Sequence, residues 1–567
     1  MATVQQFAGP HSDLALDAKT GADVIVETLE AHKVTHVFGV PGAKIDKVFD
    51  RFLDSSIKTV VCRHEQNAAF IAGGIGRMTG KAGVAIVTSG PGVSNTVTGL
   101  ATANSEGDPL VVLGGAVSVA DRLKSVHQTM DSVELCRPIT KYAAEIDSPS
   151  ATAEVLSAAF RAAEGDRPGS AFVSLPADIA TGEAKCKPIR PSTYVQHGPA
   201  AKASISEAAR LINSAKSPVI LLGLMASKPK FAGTINKLLS STVFPVVGTF
   251  QAAGAISRHD FRYFGGRVGQ IANQPADALL ESGDVVITIG YDAIEYWPSL
   301  WNKSNDRPII HIDVVPAKVE NDYSPAIELI GDIEGTLEAL SPLLHRPRLD
   351  PSSFDLLQRI AKDREQLMAL AATKSGSPIH PLRLVSELQK LITPDVTICS
   401  DMGSFSLYLC RYLFSFRARQ FLVTNGQQTL GVALPWAIAA SIVRPQEKVF
   451  SISGDGGFLF SAAELETAVR LNSHLVHMIW VDGHYDMVGT QERIKYGRTS
   501  GVDLGTVDYM KYAQAFGATG LQIREADEIA HTLNKAFDIA GPVLIEVHVD
   551  YRDNAKLFEY VHEGTIV

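Results

Sequence analysis

Residues 451–460 read SISGDGGFLF. A β-branched apolar run stops at Gly-Asp-Gly-Gly, and apolar residues resume at once. The run has the length and composition of a buried strand, and the glycines let the backbone turn sharply at its end. Asp455 stands at that turn, where an unpaired buried charge is costly. The carboxylate therefore needs a partner from elsewhere in the chain or from a ligand.

The same rhythm runs through the 567 residues. In the first third THVFGV, TVVCRH, GVAIVTSG, PLVVLGG and SAFVSLP have strand character, separated by helix-length stretches such as EQNAAFIAGGIGRMTG. The middle third repeats it with SPVILLGL, FPVVGTF, DVVITIGYD and PIIHIDVV. The last third has DVTICSD, QFLVTNG, KVFSISGDGG, HLVHMIWVD and VLIEVHVD. Short apolar strands alternating with helices predict parallel sheets covered on both faces. Looser stretches near residues 200 and 350 divide the chain into three α/β domains, expected at 20–185, 200–345 and 376–555. Tails are expected at 1–19 and 556–567.

Composition narrows the class. Hydrophobic residues make up 46% and charged residues 20%, enough for large cores. A net charge of −9 lacks the basic footprint of a nucleic-acid binder. The five cysteines, odd in number and without a CxxC pair, favour reduced thiols and a cytoplasmic setting. The N-terminus has no apolar signal region, and no apolar run approaches ~18 residues, so no membrane span is expected.

Ligands of open α/β sheets sit beyond the carboxyl ends of the strands. Glu65, Asp455 and Asp482 all fall at such ends, although an acidic residue there also serves as a cap for the following helix. Ser461-Ala-Ala-Glu464 resembles a capping box and predicts that a helix starts there. Asp482 lies 27 residues after Asp455, the interval of one strand, one helix and the adjacent strand. Two neighbouring carboxylates repel unless a cation lies between them. Oxygen ligands favour Mg²⁺ or Ca²⁺, and Mg²⁺ completes its octahedron with phosphate oxygens and water. Backbone amides at the glycines suit those phosphates. The residues alone thus read as a Mg²⁺–diphosphate site.

From about residue 20 to 554 the chain resembles the thiamine-diphosphate-dependent enzymes. The resemblance rests on GDGGFLFSAAELETAVRLNSHLVHMIWVDGHYDMV together with VFGVPGAKIDKVFD, HEQNAAFIAGGIGR, HQTMD, PITKY, EYWPSLWNK, FRARQ, NGQQTLGVALPWAIAA and VDYRDN. Among these enzymes it is most similar to the catabolic, FAD-independent acetolactate synthase branch.

The resemblance implies thiamine diphosphate and Mg²⁺ as cofactors and no FAD. It assigns the metal to Asp455, Asp482 and the backbone carbonyl of His484. Glu65 matches the glutamate that shares a proton with N1′ of the aminopyrimidine, and Gln128 and Lys44 match loop residues that face the reacting carbon. On the pyrimidine side it implies contacts from Val40, Pro41, Gly90 and Asn95. Gly403, Ser404, Phe405, Gln427 and Gln428 match contacts on the diphosphate and pyrimidine sides, and Leu430 the wedge that bends the cofactor. Further cofactor contacts fall on Gly454, Gly456 and Gly457, and on Tyr485, Asp486, Met487 and Val488. The chain departs from the commoner pattern at Cys136 and Arg137, at Ser406, and at Gly483, His484 and Asp486.

The implied reaction condenses two pyruvates to 2-acetolactate with release of CO₂, through a ylid and a hydroxyethyl carbanion/enamine, feeding acetoin or butanediol formation. The implied assembly is a homo-oligomer, expected as a tetramer, with sites between subunits and no regulatory subunit. Competing readings are a pyruvate oxidase, a simple 2-oxoacid decarboxylase or the flavin-containing anabolic synthase. A nicotinamide oxidoreductase is disfavoured because SGPGVSN lacks GxGxxG, and a non-catalytic scaffold because Glu65, Asp455 and Asp482 are all present.

Overall fold

The computed structural model describes residues 19–191, 197–304, 306–345 and 349–557. Most of both expected tails, and parts of both looser stretches, lie outside the described residues. Three six-stranded sheets, all parallel, form three α/β domains. Runs such as Val285–Ile289 and Leu110–Ala116 are buried along their whole length, as sheets covered on both faces require.

The first and third sheets share one topology. Numbered within each domain, the strand order is 2-1-3-4-6-5 in both. The first sheet runs Lys58–Val61, His36–Val40, Gly83–Val87, Leu110–Ala116, Ser170–Pro176, Tyr142–Glu145. The third runs Phe421–Leu422, Val396–Ser400, Lys448–Gly454, Leu475–Val481, Val543–His548, Thr519–Ile523. The central sheet has the order 3-2-1-4-5-6, with Pro218–Leu222 and Val285–Ile289 at its middle. In each sheet the order reverses at its first strand, and that switch point opens a crevice at the carboxyl ends of the strands.

One hydrophobic core joins the first and third domains, running from Phe38 and Phe70 to Trp436 and Phe458. Helix Glu65–Thr79 packs on helix Ala433–Val443 there. A Cβ at Gly74 would stand 2.9 Å from Trp436 Cδ1, so glycine sets the closeness of this crossing. The Arg77 guanidinium lies 4.7 Å over the Trp436 ring.

The helix expected to start at Ser461 begins earlier. Asp455–Leu459 is already helical, a short turn follows at Ala462–Glu464, and the next helix is Leu465–Arg470. Ser461 makes no side-chain cap, and the Glu464 carboxylate turns to the first domain instead. All five cysteines are free thiols, and among the described residues no helix is long and apolar enough to cross a membrane.

Candidate active site

The crevice of the third sheet holds a cavity of about 180 Å³. Three loops build it. Met402–Phe405 follows Val396–Ser400, Gly454–Gly457 closes Lys448–Gly454, and Asp482–Val488 follows Leu475–Val481, with Gln428, Leu430 and Tyr551 completing the wall.

Asp455 is 4% exposed. Its two carboxylate oxygens accept main-chain N–H groups from Gly456 at 2.9 Å and from Gly483 at 2.8 Å. Gly483 takes φ +75, a left-handed turn that suits glycine. Burial raises the Asp455 carboxyl above the usual carboxylate range. Burial first, then the charges of Asp455 and Asp486, push Asp482 up to about 8. Two carboxylates that resist ionising together are a cation-seeking pair. Among the described residues no group of three or more His, Cys, Asp or Glu side chains is arranged for a metal, so a cation here would draw on two carboxylates and backbone oxygen. That hard-oxygen set, left open toward a cavity with glycine amides at its wall, fits Mg²⁺ with a diphosphate.

The glycines also have steric reasons. A Cβ on Gly456 would overlap the Tyr485 ring, and one on Gly457 would stand 2.7 Å from Asp401 Oδ2. Asp401, 1% exposed, accepts the Gly431 N–H with both oxygens at 2.9 Å and the Met402 N–H at 3.0 Å. It fixes the turns bearing Leu430 and Gly403, and burial pushes its carboxyl up to about 7.

His484 lines the cavity, and its Nδ1 pairs with Asp503 at 2.9 Å. Asp486 is held by Ser404 Oγ at 2.6 Å and by Asn554, Thr490 and Arg493. The Ser404 hydroxyl is thereby committed to Asp486. Ser406 is buried and donates to the Gly403 carbonyl at 2.7 Å. Gln427 departs from the expected group, since it lines a different cavity, of about 630 Å³, between the first and central domains.

The first-domain residues gather at their own sheet edge. Glu65 opens helix Glu65–Thr79, whose N-cap His64 accepts the Gln66 N–H. Asn95 donates to Glu65 Oε2 at 2.9 Å, leaving Oε1 beside Gly92, where a Cβ would lie 3.7 Å away. Gln128 sits at φ +65 over Gly90, with its Oε1 accepting Ser89 Oγ at 2.7 Å. Half-buried Lys44, with Val40 and Pro41, occupies the loop after His36–Val40, and has no carboxylate partner among the described residues. Cys136 is a core thiol whose pKa burial raises to about 12, and Arg137 is an exposed partner of Glu134. None of these residues lines the third-domain cavity.

The sequence reading missed two carboxylates that set the geometry. Glu464, fully buried, accepts the N–H groups of Arg63 and His64, just before Glu65. Glu106, also fully buried, accepts from Asn425 N and Gly426 N at 2.8 Å each, from Thr424, from Gln251 Nε2 at 2.5 Å and from Arg77. It ties all three domains to the loop that carries Gln427, Gln428 and Leu430.

Family models match in chain order. The N-terminal thiamine pyrophosphate-binding domain covers 19–135, the central domain 205–340 and the C-terminal thiamine pyrophosphate-binding domain 401–547. The chain is 51% identical over 548 residues to "Acetolactate synthase, catabolic" of Raoultella terrigena, covering 96% of this chain and 98% of that protein. The chain belongs to the acetolactate synthase family of thiamine pyrophosphate enzymes. It is 47% identical over 542 residues to "Acetolactate synthase" of Bacillus subtilis, covering 95% and 94% of the two. It is 31% identical over 558 residues to "Probable acetolactate synthase large subunit" of Methanococcus aeolicus, covering 94% and 92%. As an acetolactate synthase family member the chain places its glycine-bounded Asp455 inside the C-terminal matched domain, and Glu65 inside the N-terminal one.

Proposed function

We propose that this chain condenses two molecules of pyruvate to 2-acetolactate with release of CO₂. The observation that carries this reading is the Asp455–Asp482 pair facing the glycine-walled cavity at the third sheet's switch point. Bound thiamine diphosphate supplies an electron sink and a nucleophilic carbon. Asp455, Asp482 and the His484 carbonyl would hold Mg²⁺, and the glycine-lined wall at Gly403, Gly454 and Gly457, with Leu430, would receive the cofactor.

Glu65, oriented by the Asn95 amide, would use its free Oε1 to hold a proton toward the aminopyrimidine of the bound cofactor. Lys44 attracts the pyruvate carboxylate, and Gln128, braced by Ser89, orients the substrate. Glu65 and the diphosphate cavity belong to separate half-sites in one chain, so a second copy completes each site. Exclusion of water from the site would keep protonation from competing with the second pyruvate.

The enzyme works without flavin. At the central switch point the Glu295 carboxylate accepts the Leu224 N–H at 2.7 Å and Thr249 Oγ1 at 2.6 Å. A dinucleotide phosphate would need that same amide. Reduced thiols suit a cytoplasmic location.

The deciding experiment incubates purified protein with pyruvate, thiamine diphosphate and Mg²⁺ and identifies the product. Acetolactate, converted to acetoin by acid, is expected. Acetaldehyde alone, acetate with peroxide, or a stoichiometric flavin spectrum refutes the reading.

A further inference from the structure

The wall of the cavity at the third sheet's switch point carries acids but no lysine or arginine. Phosphate oxygens placed there and not bound to a cation must be met by neutral donors. Two of the polar side chains in that wall are already spent. Ser404 Oγ donates to Asp486 at 2.6 Å, and His484 Nδ1 pairs with Asp503 at 2.9 Å. Tyr551 lines the same cavity, and no role has yet been given to its hydroxyl.

The fold fixes the place of Tyr551 from both sides. Strand Val543–His548 runs on to Val549, whose N–H donates at 3.0 Å to the carbonyl of Val481, the residue before Asp482. The Asp550 N–H donates to the Ile379 carbonyl at 3.0 Å. The Tyr551 carbonyl accepts the Asn554 N–H at 2.8 Å. The buried Asn554 amide accepts the Tyr408 hydroxyl at 2.7 Å and donates to Asp486. The turn is thus pinned at both ends to the loop that carries Asp482 and Asp486. The Tyr551 ring packs on the third-domain core beside Met487. Its hydroxyl makes no hydrogen bond among the described residues and is not sealed from solvent. Burial, then the charges of Asp482 and Asp486, raise its phenol above the ordinary range, so the group stays a donor.

We propose that Tyr551 is a further binding residue for thiamine diphosphate, its hydroxyl donating to a phosphate oxygen beside the Asp455–Asp482 pair. The inference rests on the cofactor reading given above. A phenol suits this position better than a cation. Lysine or arginine here would pair with Asp482 and compete with Mg²⁺, whereas a hydroxyl supplies a hydrogen bond and leaves the carboxylates to the metal.

Cofactor-free enzyme is titrated calorimetrically with thiamine diphosphate at a series of Mg²⁺ concentrations. Tyr551→Phe keeps the ring and should weaken binding about tenfold or more, the effect of losing a hydrogen bond to a charged group. The weakening should persist at saturating Mg²⁺. Its disappearance there would put the hydroxyl on the cation's water and overturn the proposal. The cofactor-free variant should melt with the wild type, because the hydroxyl makes no bond within the chain. A lower melting temperature would assign the hydroxyl to the fold and overturn the proposal as well. Equal binding by wild type and Tyr551→Phe overturns this inference alone. Wild-type enzyme that binds no thiamine diphosphate overturns the cofactor reading together with it.

Discussion

The Glu464 carboxylate accepts the main-chain N–H groups of Arg63 and His64 at 2.8 and 3.0 Å, and Glu65 is the next residue. A third-domain side chain thus aims the start of the helix that carries Glu65. Both donors share Oε1 while Oε2 accepts the Thr467 hydroxyl at 2.6 Å, so Glu464→Gln turns an amide NH₂ toward one of these donor sets. We expect turnover to fall about tenfold and stability to drop by about 1–3 kcal/mol, the cost of an unmatched buried donor. Steady-state rates and denaturant unfolding measure the two effects.

Glu65→Gln keeps the shape and the Asn95 contact but cannot share a proton. The expected loss in kcat is about 10²–10⁴-fold, the range of general acid–base catalysis. Circular dichroism and the melting temperature should not move. A near-normal rate would remove Glu65 from its assigned role.

Metal-free protein should lose stability as pH rises. Asp482 has a folded pKa of about 8, above its unfolded value. The folded state therefore holds the extra proton, and its contribution is complete below the unfolded pKa. That contribution is lost as pH climbs through about 8. Mg²⁺ reverses the preference by favouring the ionised pair. Melting temperatures from pH 5 to 9, with chelator and with Mg²⁺, should show a downward slope only in chelator. Parallel curves would detach the metal from this pair.

Glu106→Gln should weaken thiamine diphosphate binding without touching the cofactor. The charge now gathers Asn425 N, Gly426 N, Thr424, Gln251 and Arg77 around one carboxylate. Losing it frees the loop that carries Gln428 and Leu430. The cofactor concentration at half-maximal activity should rise about tenfold, while kcat at saturation falls less. The opposite split would mean that Glu106 serves the fold alone.

Gly457→Ala tests the crowding around Asp401. The new methyl would meet a carboxylate oxygen at 2.7 Å that backbone amides hold in place. Overpacking of this kind costs about 1–3 kcal/mol. The Leu430 turn should shift and cofactor affinity fall, read by activation curves at rising thiamine diphosphate.

The strands that local pattern failed to reveal lie at sheet edges. Tyr142–Glu145 and Thr519–Ile523 are half-exposed and carry little apolar signal. Ile327–Ile330 alternates buried and exposed positions, and Phe264–Val268 hides its burial behind two glycines and an arginine. Central strands announced themselves because both faces are covered. The glycine turn at Asp455 and its partner at Asp482 were legible because both lie at the ends of such strands. Asp401, ending DVTICSD, carried the same signal and could have been found by it. Glu106 and Glu464 had no local signature. Their partners stand 319 and 401 positions away, and Glu464 matched a capping box that the chain does not form.

On the proposed reading, with Glu65 outside the glycine-walled cavity, each chain would donate two unlike parts. A chain disabled at Glu65 still offers a sound cavity, and one disabled at Asp455 still offers a sound glutamate. Two inactive variants, Glu65→Gln and Asp455→Asn, should therefore regain activity when refolded together, through the fraction of mixed assemblies that unite the intact halves. Inheritance of such alleles would follow complementation rather than simple loss.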